Sequence, residues 1–433
     1  MVKLKRISSL VMLCFTAVTV ACASGKMPSE LGRKIQSDPR LKQVKQMAEQ
    51  LVSKGATAGD SYVEIWIRDL NTFIETACRV GNQKPIREAL LTFFKFQGKD
   101  GNIPDGYTLK NTSSIPYNFI YSDLAPEYAA HKNTVETDQE SSLIQAVYKY
   151  IRATGDKSIL NEEIAGRTVE QRMSDAMHFL LNHRFDKTYG LLWGATTADW
   201  GDIQPEHEWG VYMDSTSHLS IDIYDNAMFT VAMNDYIALA SDKAQVKYWK
   251  KVCSDIKKNV RKYLWDDARQ KFIPHIYLNG SPFPEDFDES AIYYHGGTTI
   301  AMEAGLLSKK EIAATYKQMV ENVKAANART IGLTVYPPYP KGFFKNGWMF
   351  EYHYQNGGDW TWFGGRTVQE LIKNGFYEEA YEAISPMLDL VIKNNGFYEW
   401  WSPAGDPLGS SSFRGAAGVL WKAIEMFEAE MNK

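Results

Sequence analysis

A chain of 433 residues is long enough for one large domain or two ordinary ones. Its 48 Lys and Arg stand against 52 Asp and Glu, and the signs are well mixed, so no basic footprint points to nucleic acid. Twelve Trp and 24 Tyr make the chain rich in rings, which a carbohydrate cleft and a large core explain equally well.

The chain opens with a leader pattern. Lys3, Lys5 and Arg6 precede an apolar run over residues 7–20, and the small residues Ala21-Cys22-Ala23 close it. The run is too short for an ordinary membrane span. No later stretch holds eighteen unbroken apolar residues. The expectation is a signal peptide over residues 1–23 and a mature protein exported to the periplasm or outer surface. Cys22 is a candidate lipid-anchor site, although Thr19 stands where that pattern usually has Leu. Beyond the leader only Cys78 and Cys253 remain, as a pair or as two free thiols. No Cys/His cluster has zinc spacing, and neither metal nor cofactor is expected.

Hydrophobic periodicity then predicts about twelve helices and few strands. They fall at residues 31–54, 66–80 and 85–97, and, after a loop rich in Gly, Pro and Asn, at 137–154, 169–183, 223–240 and 244–265. The last five fall at 290–304, 309–325, 359–374, 377–394 and 411–430. The stretches at 248–256 and 311–323 are amphipathic, as an outer layer requires. Those at 223–233 and 290–302 are apolar most of the way round and expected to be packed on all sides. Alternation of six inner with six outer helices predicts an all-α (α/α)6 toroid. No linker splits residues 24–433, which are expected as a single catalytic domain.

Loops leading into the inner helices carry most of the conspicuous polar and aromatic residues. They are Glu64–Asp69, Glu136–Asp138, Ala198–Asp202, Asp286–Ser290, Tyr354–Trp360 and the stretch around Glu399. If the inner helices run parallel, these loops open on one face. Glu399 lies among Phe397, Tyr398, Trp400 and Trp401. A carboxylate among rings suits sugar chemistry, and also suits a structural Glu beside core aromatics.

Glycoside hydrolysis uses two carboxylates, roughly 6.5–9.5 Å apart when a water must fit between them. One stays protonated, and a hydrophobic surround helps it to do so. Asp202 suits the acid, with Trp193, Trp200 and Trp209 near in sequence, and Glu399 suits the base. Arg68 and Asp69 suit sugar hydroxyls, or a buried ion pair. Asp199 rivals Asp202 as the acid, or caps a helix or turn. Asp222, Asp225 and Asp359 suit helix caps. Tyr354, Gln355, Trp360, Trp66, Trp200, Trp400 and Trp401 are the candidate substrate walls.

Four stretches carry a resemblance. Glu64-Ile-Trp-Ile-Arg-Asp-Leu70 resembles the Trp-x-Arg-Asp motif of glucoamylase-like enzymes. Ala198-Asp-Trp-Gly-Asp202 is similar to a motif of cellobiose-phosphorylase-like and glycogen-debranching enzymes, with Gly201 where the phosphorylase motif has Asn. Tyr354-Gln-Asn-Gly-Gly-Asp-Trp360 resembles the Asn-Gly-Gly-x-Trp stretch of the same group. Phe397-Tyr-Glu-Trp-Trp-Ser-Pro403 and the following Leu408-Gly-Ser-Ser-Ser-Phe413 resemble the ending of processing α-glucosidases and mannosylglycerate hydrolases, with Trp400 and Trp401 in place of Tyr. The resemblance is to the six-hairpin glycosidases as a superfamily. It implies an inverting hydrolase of an α-linked gluco- or mannoside, with Asp202 as acid, Glu399 as base and Arg68 and Asp69 at the first subsite. The expected partner is a carbohydrate, with no nucleic acid and no membrane span. Rival readings are a sugar epimerase using His295 and His353, a polysaccharide lyase, and a glycan-binding protein without an acid/base pair.

Overall fold

The computed structural model describes residues 26–433 apart from Asn82 and Ser114. The leader expected over residues 1–23, with Cys22, lies outside the described residues.

Thirteen α-helices lie among the described residues. The first two are α1 (Ser29–Ser37) and α2 (Pro39–Val52). Periodicity predicted one helix here, but Pro39 holds Asp38 in extended backbone. The Asp38 carboxylate then accepts the Arg40 N–H at 3.0 Å, and Pro39 opens α2 where its missing N–H costs nothing. There follow α3 (Ile67–Val80), α4 (Gln83–Lys95), α5 (Gln139–Thr154), α6 (Val169–His183), α7 (Ile223–Leu239) and α8 (Lys243–Tyr263). The chain continues through α9 (His295–Glu303), α10 (Lys309–Ala325), α11 (Thr361–Lys373), α12 (Tyr377–Asn394) and α13 (Arg414–Met431).

The odd-numbered helices from α3 to α13 form a closed ring. Each packs on the next, and α13 returns to α3. The even-numbered helices from α2 to α12 back them as an outer layer. This is the (α/α)6 toroid. The residue patterns explain the sorting. Helix α8 buries only Trp249, Cys253, Ile256 and Val260, a stripe with steps of four, three and four. Helix α7 buries every residue from Ile223 to Met233, which an inner position demands.

Because each outer helix leads into an inner one, the inner helices run parallel and their N-terminal loops share one end. Small antiparallel sheets stiffen that end. Ile65–Trp66 pairs with Gly106–Leu109, which pairs in turn with Tyr128–His131, so Trp66, Gly106 and His131 lie in one row. Two of these strands fall in a stretch expected as loop. Helix α9 is shorter than its apolar pattern predicted. Glu289–Ala291 is a 3₁₀ turn, and Tyr293–Tyr294 pairs as a strand with Val335–Tyr336. The aromatic pair favours the strand. The adjacent Gly296 and Gly297 then bring the first turn of α9 against the Asp199 carboxylate.

The seam closing the ring is tight. A Cβ at Gly418 of α13 would stand 2.4 Å from Phe73 Cβ and 2.5 Å from Phe73 Cα on α3. Backbone cannot swing aside as a side chain does. Gly418→Ala is therefore expected to lose about 1–3 kcal/mol of stability, as overpacking does, despite alanine's better helix propensity. Thermal or denaturant unfolding measures it; an unchanged or raised midpoint would show that the seam yields.

Candidate active site

A cavity of about 970 Å³ opens at the end of the barrel where the inner helices begin. Such a volume suits a small-molecule ligand. Its walls come from sequence-distant loops, including Tyr62 to Asp69, Asp202 to Tyr212, Asn346 to Trp362 and Glu399 to Phe413.

Glu399 enters at the start of a hairpin in which Trp400 faces Leu408 and Trp401 faces Pro407. Its N–H donates to the Ser410 carbonyl at 2.8 Å. In return the Ser410 N–H donates to Glu399 Oε2 at 3.1 Å, and the Tyr62 hydroxyl donates to the same oxygen at 2.8 Å. Gly409, at φ +67°, is needed beneath: a Cβ there would fall 2.6 Å from Oε2. Burial raises the Glu399 pKa, the Ser410 N–H and Tyr62 hydroxyl hold it down, and the charge of Asp202 adds to the rise.

Asp202 is fixed by its backbone. Its N–H donates to Gln355 Oε1 at 3.2 Å, and its carbonyl accepts from Asn133 Nδ2 at 2.8 Å. Carboxyl Oδ1 is buried with no hydrogen-bond partner among the described residues. Burial raises this pKa too, against the Arg68 charge and Gln355. Beside it Trp200 is buried edge-on to Trp360, ring centres 4.7 Å apart.

Arg68 and Asp69 open α3, and they are not paired with each other. Arg68 Nε meets Asp138 Oδ2 at 2.7 Å, and Nη2 meets Glu136 Oε1 at 2.9 Å. Asp69 is thus left without Arg68 as an ion-pair partner. Burial pushes its pKa up to about 8, the Glu399 charge adds to the rise, Arg68 opposes it, and Asp202 raises it further. Asp69, Asp202 and Glu399 thus line one cavity and repel one another's ionised forms. Trp66, Arg68, Trp200, Tyr354, Gln355 and Trp360 line it as well.

Three expected site residues do not reach the cavity. Asp199, at φ +58°, turns inward, and both its oxygens accept the Gly297 N–H, at 2.9 and 3.0 Å. It caps α9, the alternative its sequence left open. Trp400 is buried against Gly358 and His353. Trp401 is buried with Nε1 donating to Thr361 Oγ1 at 3.1 Å, and its backbone pairs with Asp359 in both directions. Both rings are covered because their hairpin is wedged against the entry to α11. Asp286–Ser290 also stays away. Glu289 is held by His275, Tyr277 and Tyr339 at 2.7–2.8 Å.

The epimerase histidines are misplaced as well. His295 is fully buried on Asn322, and burial drives its pKa to about 3. His353 stacks on Phe350, 4.2 Å between ring centres. Neither lines the cavity. Cys78 and Cys253 are buried free thiols. Among the described residues no group of His, Cys, Asp and Glu is placed to hold a metal ion, and no helix is long and apolar enough to cross a membrane. Sequence reasoning missed Tyr62, Ser410, Tyr117 and Trp348. Tyr62 carried no signal, since nothing local ties it to a glutamate 337 positions away.

The fold is that of the (α/α)6 barrels, and solved structures of that kind superpose over most of the chain. The mannosylglycerate hydrolase of glycoside hydrolase family GH63 from Thermus thermophilus, in complex with glucose, is 18% identical, with a TM-score of 0.62 over 90% of this chain and 100% of that one. Its complex with Tris and D-glycerate gives 16%, 0.63, 88% and 100%. A rhamnosidase from Klebsiella oxytoca with rhamnose bound gives 13%, 0.57, 89% and 63%. No protein-family model and no curated protein matches the chain.

The raised Asp69 pKa has a consequence for stability. An unfolded Asp titrates at about 3.9. Below that pH both states hold the proton and the group contributes nothing. Between there and about 8 the unfolded chain has released a proton that the folded chain keeps. Unfolding is therefore favoured more as pH rises through this window. Asp69→Asn, always neutral, should raise the melting temperature clearly at pH 8 and little at pH 4. An equal shift at both would remove the cause.

Proposed function

We propose that the protein is a glycoside hydrolase that cleaves an α-linked gluco- or manno-configured glycoside with inversion. The observation that carries this reading is the pair Asp202 and Glu399, brought from sequence-distant loops to one cavity and held in unlike surroundings. Support also comes from the hydrolase and rhamnosidase that share the fold.

In this reading Asp202 is the general acid. Burial favours its neutral form, which has the proton to give to the glycosidic oxygen. Glu399 is the general base. Two donors steady its ionised form through Oε2, so Oε1 is the oxygen for the attacking water. As the bond to the leaving oxygen breaks, water attacks the opposite face of the anomeric carbon and passes its proton to Glu399. Asp69, neutral near pH 7, both donates to and accepts from a sugar hydroxyl, with Arg68 held beside it. Trp66, Trp200, Tyr354, Gln355 and Trp360 shape the pocket. Residues 24–433 act as one catalytic domain, with carbohydrate as the partner.

The first 23 residues act as an export signal to the periplasm or outer surface, with Cys22 an alternative lipidated start. Intact mass of exported protein should place the N-terminus near Ser24 or, with an acyl mass added, at Cys22. Recovery of the whole chain from Met1 would remove the leader.

General acid or base assistance contributes about 10²–10⁴-fold. Asp202→Asn should lose that much on oligosaccharides and little on glycosyl fluorides, whose leaving group needs no proton. Glu399→Gln should lose it on both. Proton NMR of the first product should show the inverted anomer. Retention would recast Glu399 as nucleophile, and binding without turnover would leave a glycan-binding protein.

A further inference from the structure

Of the twelve tryptophans only Trp209 and Trp348 are substantially exposed, at 46% and 59%, and both stand on the cavity wall. Each ends a row of rings. On one wall Trp66 meets Tyr117 at 5.9 Å, and Tyr117 meets Trp209 at 6.1 Å. On the other, Trp360 meets Tyr354 at 5.6 Å, and Tyr354 meets Trp348 at 6.0 Å. All six rings line the cavity, so each wall carries a buried or half-buried ring, a middle ring and an exposed one.

The two outer rings sit on loops tied to each other. The Lys345 N–H donates to the Pro205 carbonyl at 3.0 Å, and Asn346 Nδ2 donates to the Glu208 carbonyl at 2.8 Å. The Trp348 N–H closes on Asn346 Oδ1 at 2.9 Å. Exposed indoles held this way present apolar faces to whatever extends from the cavity, at low entropic cost. Charge narrows what that is. The cavity's two cations, Arg68 and Lys132, are each already ion-paired. Arg68 is bound to Asp138 and Glu136, and Lys132 Nζ to Glu140 Oε1 at 2.9 Å and the Ile103 carbonyl at 2.7 Å. Among the described residues no cavity-lining cation is left for a substrate carboxylate, while Asp69, Asp105, Glu136, Asp202 and Glu399 line the same space.

We propose that Trp209 and Trp348 form outer sugar subsites, and that the substrate is a neutral oligosaccharide reaching the cavity mouth rather than a glycoside of a small acid. The proposal deepens the hydrolase reading and takes the sugar class from it, but binding tests it without turnover. Full-length Glu399→Gln, and wild type in the cold, are titrated with glucose to maltotetraose and mannose to α-1,6-mannotetraose, following heat or tryptophan fluorescence. In one series affinity should climb from the monosaccharide to the trisaccharide. Trp209→Ala or Trp348→Ala should cut the trisaccharide-to-monosaccharide affinity ratio about tenfold, the scale of one lost ring contact. Trp348→Phe should restore most of it, and unfolding curves check that each variant is folded.

Affinity flat with length, binding of neither series, or equal loss for short and long sugars would each overturn the proposal. So would tighter binding of mannosylglycerate than of the neutral disaccharide. Length-dependent binding without sugar release would sink the hydrolase reading and leave the subsites standing. Hydrolysis with flat affinity would do the reverse.

Discussion

The buried contact of Arg68 with Asp138 is the point on which the active end of the barrel turns. Arg68 lies in the first turn of α3, Asp138 immediately precedes α5, and Tyr224 of α7 donates its hydroxyl to Asp138 Oδ2 at 2.8 Å. One carboxylate thus ties the N-terminal ends of three successive inner helices. The Arg68 guanidinium also lies 5.9 Å over the Trp200 ring. Trp200 belongs to a cluster with Trp360, Trp362 and Phe363, which continues to Phe413 at the head of α13. Arg68 thus touches both an ionic cluster and an aromatic one beneath the cavity. Removing one partner from a buried pair leaves an uncompensated charge and costs more than the pair itself contributes.

That arrangement bears on the carboxyls lining the cavity. Arg68 is committed to Asp138 and Glu136, and its charge opposes the effect of burial at Asp69 and Asp202 without pairing with either. Asp69, its sequence neighbour, is left to be governed by burial and by Glu399. Glu399 differs from Asp202 because two donors reach it from outside its own strand. Burial raises the pKa of both carboxyls, and what opposes it differs: the Ser410 N–H and Tyr62 hydroxyl at Glu399, the Arg68 charge and Gln355 at Asp202.

The toroid was legible because burial on all sides and burial on one side leave different periodicities. The contrast between α7 and α8 is as plain in the sequence as in the structure. Boundaries failed where a local rule competed with the pattern, as at Pro39 and at the Tyr293–Tyr294 strand. Among the site residues, Trp66, Asp69, Asp202, Tyr354, Gln355 and Glu399 stood out as loop residues before inner helices, and they do line one cavity. Asp199, Trp400 and Trp401 shared those loops and were hidden by packing. Proximity in sequence to a site residue does not say which way a side chain points.

The sequence by itself determined the layering of the barrel and the end at which its chemistry-bearing loops gather. Both follow from patterns repeated within each helix and hairpin, over distances of a few residues. Only the tertiary structure decided which donors reach each carboxyl, which aromatic faces the cavity, and that Arg68 belongs to Asp138 rather than Asp69. These depend on contacts such as Tyr62 with Glu399, made across the closed ring between residues 337 positions apart. Burial and field at a point are sums over everything packed around it, and no local stretch of sequence carries that sum.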